Sequence, residues 1–160
     1  YHCTRFPDQW TFVHNIMEGV KAYDTTLHFH DQRWWLFANM VEVPGASSCD
    51  ELFVFHADSP LSRTWQPHAR NPVVSDCRSA RPAGRIFSMQ GHWYRPSQNC
   101  SHHYGYGFNL AQIRTLTPEA YDEHIVTRVS PDWSPDIVST HTFNRCGDLH
   151  LIDAQWRRPR

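Results

Sequence analysis

The sequence predicts an all-β fold built from repeated four-stranded units of the kind that make up propeller blades, and three observations carry that prediction. Three segments, residues 24–38, 83–96 and 139–152, share one layout: an apolar strand, a short polar turn and a second apolar strand. Superposing the turns places Trp34 over Trp93 and Leu149 at nearly regular spacing, with Gly91-His92 and Gly147-Asp148 in the turns, where glycine accepts the positive φ of a tight hairpin. After each of the first two hairpins follow two further strand candidates, and four strands is the size of one blade.

The elements fall in order along the chain. Residues 5–16 resemble residues 61–65 and read as the outer strand of a blade whose inner strands lie upstream. Residues 20–75 form a first whole blade, with a third strand at 51–57 and a fourth between 65 and 74. Residues 78–135 form a second, with a third strand at 104–110 and a fourth at 124–129. Thr117 as N-cap, Pro118 at the first helical position and an acidic turn after it predict one short surface helix over residues 117–123. Residues 137–156 give an inner hairpin only, half a blade, and an Arg-rich tail occupies 157–160. The partial propeller domain thus runs over residues 1–156. Two whole blades with flanking strands cannot close a ring of roughly four to eight blades, so further blades of the same polypeptide are expected. An unrelated two-sheet sandwich is the alternative.

Composition narrows the function classes. Hydrophobic residues at 40% and aromatics at 14% describe a chain able to fold, with a mean hydropathy of −0.61. The formal net charge of −1 provides no basic field for a nucleic acid backbone. No apolar run approaches the roughly 20 residues of a membrane-spanning helix, and the first residues show no signal-peptide pattern. Lys21 is the only lysine; every other cation is arginine, which suits planar recognition of carboxylate, phosphate or sugar hydroxyls. The cysteines Cys3, Cys49, Cys77, Cys100 and Cys146 include no C-x-x-C pair and are odd in number. They read as buried or half-buried thiols, with a disulfide available in an oxidising compartment. His28-x-His30 places two rings on one strand face, yet no Cys or carboxylate completes a metal site, and neither metal nor cofactor is expected. Asn99-Cys100-Ser101 fits an N-glycosylation acceptor. Walker and Gly-x-Ser-x-Gly patterns are missing, which argues against nucleotide hydrolysis and serine esterase chemistry.

Several strings recur together in one known family: Arg33-Trp-Trp-Leu-Phe37, His56-Ala-Asp-Ser-Pro-Leu61, Asn71-Pro-Val-Val-Ser-Asp76, Arg78-Ser-Ala-Arg-Pro-Ala-Gly-Arg85, Tyr94-Arg-Pro-Ser-Gln98, Tyr104-Gly-Tyr106 and His141-Thr-Phe-Asn144. They resemble the N-terminal propeller-like domain of glucosamine inositolphosphorylceramide transferases and its microbial relatives, over roughly residues 6–153. The resemblance implies a five-bladed fold similar to glycoside hydrolase family 43. It also implies a separate C-terminal transferase domain that carries the chemistry, and residence in the Golgi lumen if the chain follows the plant proteins. It does not by itself imply hydrolysis.

In a propeller the start of each innermost strand lines the central pocket, which nominates Asp24, the segment from Arg78 through Arg81 to Arg85, and His141. Asp24 stands where family 43 glycosidases similarly carry a pocket carboxylate, making it the candidate catalytic residue. Glycosidases need two carboxyl groups, about 5 to 5.5 Å apart for retention or 6.5 to 9.5 Å for inversion. Ala83 and Ser139 hold the equivalent positions of the next units, so the chain lacks a complete catalytic set. The arginines suit an anionic glycan or glycolipid headgroup, or else pair with Asp76 to join blades. Tyr94 and Gln98, beside Trp93, suit sugar stacking and amide contacts, or else blade core. His141 is either a pocket residue or a satisfied interior histidine. The leading expectation is a carbohydrate-binding or substrate-presenting propeller within a sugar-transfer protein. The alternatives are a family 43-like hydrolase completed by other blades, and a scaffold with a vestigial pocket.

Overall fold

The computed structural model describes residues 1–158, and these are all-β. The strands are β1 (His2–Arg5), β2 (Gln9–Thr11), β3 (Ala22–His30), β4 (Arg33–Met40), β5 (Glu51–Ala57), β6 (Gln66–Pro67), β7 (Val74–Ser75) and β8 (Phe87–Met89). There follow β9 (His92–Asn99), β10 (Gly107–Leu116), β11 (Tyr121–Val129), β12 (Ile137–Ser139), β13 (Phe143–Cys146), β14 (Leu149–Ile152) and β15 (Gln155–Trp156). Two antiparallel meanders dominate, β3-β4-β5-β6 with β7 also on β5, and β8-β9-β10-β11. The third repeat gives two separate pairs, β13-β14 and β12-β15, and among the described residues no sheet closes on itself.

All three predicted hairpins form. The first two turn on Asp31-Gln32 and Gln90-Gly91, with φ of 51° and 56°, then 51° and 79°, the twist that two-residue hairpins require. Gly147, at φ 57°, opens the third turn. The turns therefore equate Trp34 with Trp93 and with His150, one residue beyond the expected Leu149.

Alternation along β4 explains the layering. Trp35 and Phe37 point into a core shared with Leu52, Val54, Ile113 and Leu116, so the first two sheets pack face to face. Leu36 and Ala38 point the other way, onto Ala57 and Trp65. On the far side of the second sheet, Tyr94 and Phe108 meet Phe143 of the third unit.

Two expectations are corrected. No helix exists among the described residues: residues 117–120 are a hairpin turn in which Thr117 Oγ1 accepts the N–H groups of Glu119 and Ala120, and β11 starts at once. The Thr-Pro signal is the same local capping chemistry, and pairing of β11 with β10 over its full length decides against helix. Residues 5–16 were expected as one outer strand; instead the chain folds back as the hairpin β1-β2, with Trp10 Nε1 donating to Pro7 O at 2.8 Å. The fourth strand of the first unit is split into β6 and β7. Of the 157–160 tail, Pro159 and Arg160 lie outside the described residues.

Among the described residues, one ion pair is buried on both sides. Arg95, 1% exposed, meets the Glu123 side chain, 8% exposed, across the intervening strand β10. Its Nε donates to Glu123 Oε2 at 2.8 Å, and its Nη2 also donates to Ser79 O at 2.8 Å. Burial is the largest single effect and lowers the basicity of Arg95, but the charge and hydrogen bond of Glu123 together with Tyr121 outweigh it, and the guanidinium stays firmly protonated. Tyr121, whose hydroxyl donates to the same carboxylate, is pushed well up by burial and by Glu123, and remains a neutral donor.

Glu123→Gln leaves a buried guanidinium uncompensated and is expected to cost about 3 to 5 kcal/mol, read from the urea midpoint. His28, 6% exposed and edge-on to Trp93, supplies a pH dependence. Burial, then the charges of His30 and Arg85, lower it from 6.5 to about 4. Between these values the unfolded chain binds the proton and the folded chain does not, so stability falls as pH drops from 6.5 to about 4. The loss attributable to His28 is about 3 kcal/mol, and His28→Gln is expected to flatten that part of a melting-temperature profile.

Candidate functional site

Segment 76–84 threads between the units and positions the site. Arg95 holds it through the Ser79 and Ala80 carbonyls, and Asn109 Nδ2 donates to Arg78 O at 2.7 Å. It runs along β9 as an irregular extra strand, with Gln98 N–H donating to Arg81 O at 2.7 Å and Ala83 N–H to Pro96 O at 3.0 Å. At its end Gly84 has φ 147°, and a Cβ there would stand 2.1 Å from Phe143 O. Only glycine permits that approach, which brings the segment against β13.

Asp24 enters from the first sheet. It sits at φ 51° where the β3-β4 register shifts, and such bulges re-aim side chains. Its Oδ2 accepts Arg81 Nε at 2.6 Å and Gln98 Nε2 at 2.8 Å. Arg81, 7% exposed, also sends Nη1 to Ser48 O at 2.6 Å, and its guanidinium lies 4.7 Å from the Tyr104 ring centre and 5.2 Å from that of Tyr23. Burial opposes its charge, while the Asp24 carboxylate more than restores it. The Asp24 side chain is 39% exposed, and among the described residues no donor occupies Oδ1.

That carboxylate faces a cleft of about 230 Å³, lined also by Gly84, Gln98, Tyr104, His141 and Asn144. His141 comes from the third unit, packed edge-on to Tyr104, with its Nδ1 on Asp153 Oδ2. Asp153 Oδ1 accepts the His141 and Thr142 N–H groups at 2.8 and 2.7 Å. Burial raises its carboxyl, but these donors hold it below the usual carboxylate value. Three units therefore contribute to one polar cleft. A larger cavity of about 580 Å³ lies between residues 12–18 and Arg63, an open trough beside the N-terminal hairpin.

The nominated residues divide. Asp24, Arg81, Gln98 and His141 converge on the cleft or its wall. Arg78 is exposed and forks onto Asp76, with Nη2 on Oδ2 at 2.7 Å; that side-chain bond lowers Asp76. This contact is local and joins no blades. Arg85 is exposed, and only its backbone N–H reaches toward the cleft, donating to Asn144 Oδ1 at 3.2 Å. Tyr94 is buried and stacked on Phe87. Asp153, Ser48 and Asn144 were not nominated. Asp153 lies past the β13-β14 hairpin, and no motif joins it to His141. Ser48 acts chiefly through its carbonyl, which residue type does not reveal, with its hydroxyl a longer second acceptor for Arg81.

The chain matches the family described as glucosamine inositolphosphorylceramide transferase 1, N-terminal, over residues 1–150. It is 37% identical over 125 residues to glucosamine inositolphosphorylceramide transferase 1 of Oryza sativa subsp. japonica, and 33% identical over 125 residues to that of Arabidopsis thaliana. Each match covers 77% of this chain and 16% of the relative, so the chain corresponds to a small part of those proteins. The buried frame and cleft described above are thus those of a chain that belongs to the glucosamine inositolphosphorylceramide transferase 1 N-terminal family.

Proposed function

We propose that this chain is part of a five-bladed β-propeller that binds, or presents to a transferase domain of the same polypeptide, the carbohydrate portion of a glycolipid substrate. The observation that supports this reading best is the free Oδ1 of Asp24 in a cleft ringed by Gln98, Tyr104, His141 and Asn144. A fixed carboxylate oxygen beside an aromatic edge and an amide suits vicinal sugar hydroxyls. Arg81 is the positioning residue, since Asp24, Ser48 and two aromatic faces already claim its guanidinium. The names of the relatives supply the ligand class: an amino sugar or an inositol phosphate headgroup. Further blades would cover the apolar side chains left open on the third unit, Leu149 at 69% and Leu151 at 64% exposure.

Hydrolysis of the family 43 type draws less support. Asp24 is the one carboxylate among the residues that line the cleft, and Asp153, bonded to the lining residue His141, has its oxygens taken by His141 and Thr142.

Titration of the purified chain with glucosamine and with inositol phosphate, followed by heteronuclear NMR, tests the reading. Shifts are expected at Asp24, Gln98, Tyr104 and Asn144. Asn144→Ala should weaken binding about tenfold, the worth of one hydrogen bond to ligand. Arg78→Ala, off the cleft, should leave it unchanged. Absence of shifts with both ligands, or equal loss in the two variants, contradicts it.

A further inference from the structure

Two cysteines from different sheets reach the Asp24–Arg81 cluster. Cys49 lies in the connection between β4 and β5, Cys100 directly follows β9, and both are half-buried thiols. Arg81 Nη1 lies 3.9 Å from Cys49 Sγ while its Nε binds Asp24 Oδ2. The Cys100 thiol donates to Gln98 Oε1 at 3.8 Å, and Gln98 Nε2 binds that same Asp24 oxygen. The two sulfurs therefore flank one Arg–Asp–Gln cluster, and the Cys49 side chain is among the groups that act directly on the Cys100 thiol.

We propose that Cys49 and Cys100 are a disulfide-forming pair that fastens the β4-β5 connection of the first sheet to the end of β9 in the second, beside the Asp24 cleft. The oxidant is a small-molecule disulfide such as glutathione disulfide. One cysteine thiolate attacks it, forming a mixed disulfide and releasing one glutathione thiolate. The second cysteine thiolate then displaces the other glutathione and forms the Cys49–Cys100 bond. The two cysteines give up two electrons, glutathione disulfide becomes two thiols, and the two cysteine protons pass to them through solvent.

The bond would act on the site through Ser48, which is adjacent to Cys49 and receives Arg81 Nη1 on its carbonyl at 2.6 Å and on its hydroxyl at 3.2 Å. Fixing that connection fixes the guanidinium that holds Asp24. Burial, first among the causes, pushes the Cys100 thiol up to about 11, so Cys100 resists forming the thiolate. Cys77 is the rival partner, because its carbonyl accepts the Cys100 N–H at 2.9 Å. Among the described residues, though, no side-chain hydrogen bond joins the Cys77 sulfur to Arg81, Asp24 or Gln98, whereas Cys49 and Cys100 each make one.

The test equilibrates the purified chain in glutathione redox buffers, unfolds and alkylates it, and maps non-reduced peptides by mass spectrometry. The expected result is a Cys49–Cys100 cross-linked peptide that dithiothreitol removes, with a melting temperature about 5 °C or more above that of the reduced chain. Cys49→Ser should abolish the cross-link and the rise together, and Cys77→Ser should keep both. Should Cys100→Ser fail to fold, Cys49→Ser decides alone. A Cys77–Cys100 peptide, or alkylation of both Cys49 and Cys100 at the most oxidising poise, overturns the assignment.

Discussion

The buried pair of Arg95 and Glu123 is the interaction on which the rest depends. Removing two charges from water is costly, and the cost is met only where geometry and further hydrogen bonds satisfy both groups. Here Tyr121 caps the carboxylate, and the guanidinium takes the Ser79 and Ala80 carbonyls. Those carbonyls belong to a segment with little regular structure of its own, so the ion pair fixes where a polar loop must lie. Ala80, fully buried, and Gly84, with no room for a Cβ, complete the placement. From that segment Arg81 reaches across to Asp24. The chain of cause therefore runs from a charge pair inside the second sheet to a carboxylate on the first.

Much of the architecture was legible because hairpins are local. Alternating apolar runs around two-residue turns specify β3-β4 and β8-β9 without reference to anything distant. The helix expected over residues 117–123 failed because the same local chemistry serves two structures. Thr117 and Pro118 suit a helix start and a hairpin turn alike, and the partner strand chose. For Tyr94 the sequence left a sugar platform and a blade core both open, and the side chain is buried and stacked on Phe87. Asp24 was legible from repeat phase, but its grip by Arg81 and Gln98 spans residues far apart in sequence. The role of Asp153 depends on β15 bringing residues after the third hairpin back to β12, a closure no motif announces.

Membership of the transferase N-terminal family joins these observations without replacing them. The proposed carbohydrate role rests on a cleft to which three units contribute, and the proposed disulfide rests on two sulfurs that flank the same Arg81–Asp24–Gln98 cluster beside it. Both would gain from rigidity at the same place, since a carboxylate selects among hydroxyls only if it is held still.

The central claim is that Arg95 orders segment 76–84 and, through it, the Asp24 site. Amide hydrogen exchange on Arg95→Met, compared residue by residue with the unaltered chain, tests it most directly. The account predicts that Ala83, Gln98 and Cys100, whose N–H groups bond across this segment, lose protection first, while Leu36 and Val54 in the first sheet keep theirs. Uniform loss across both sheets, or unchanged protection at Ala83 and Gln98, would contradict it.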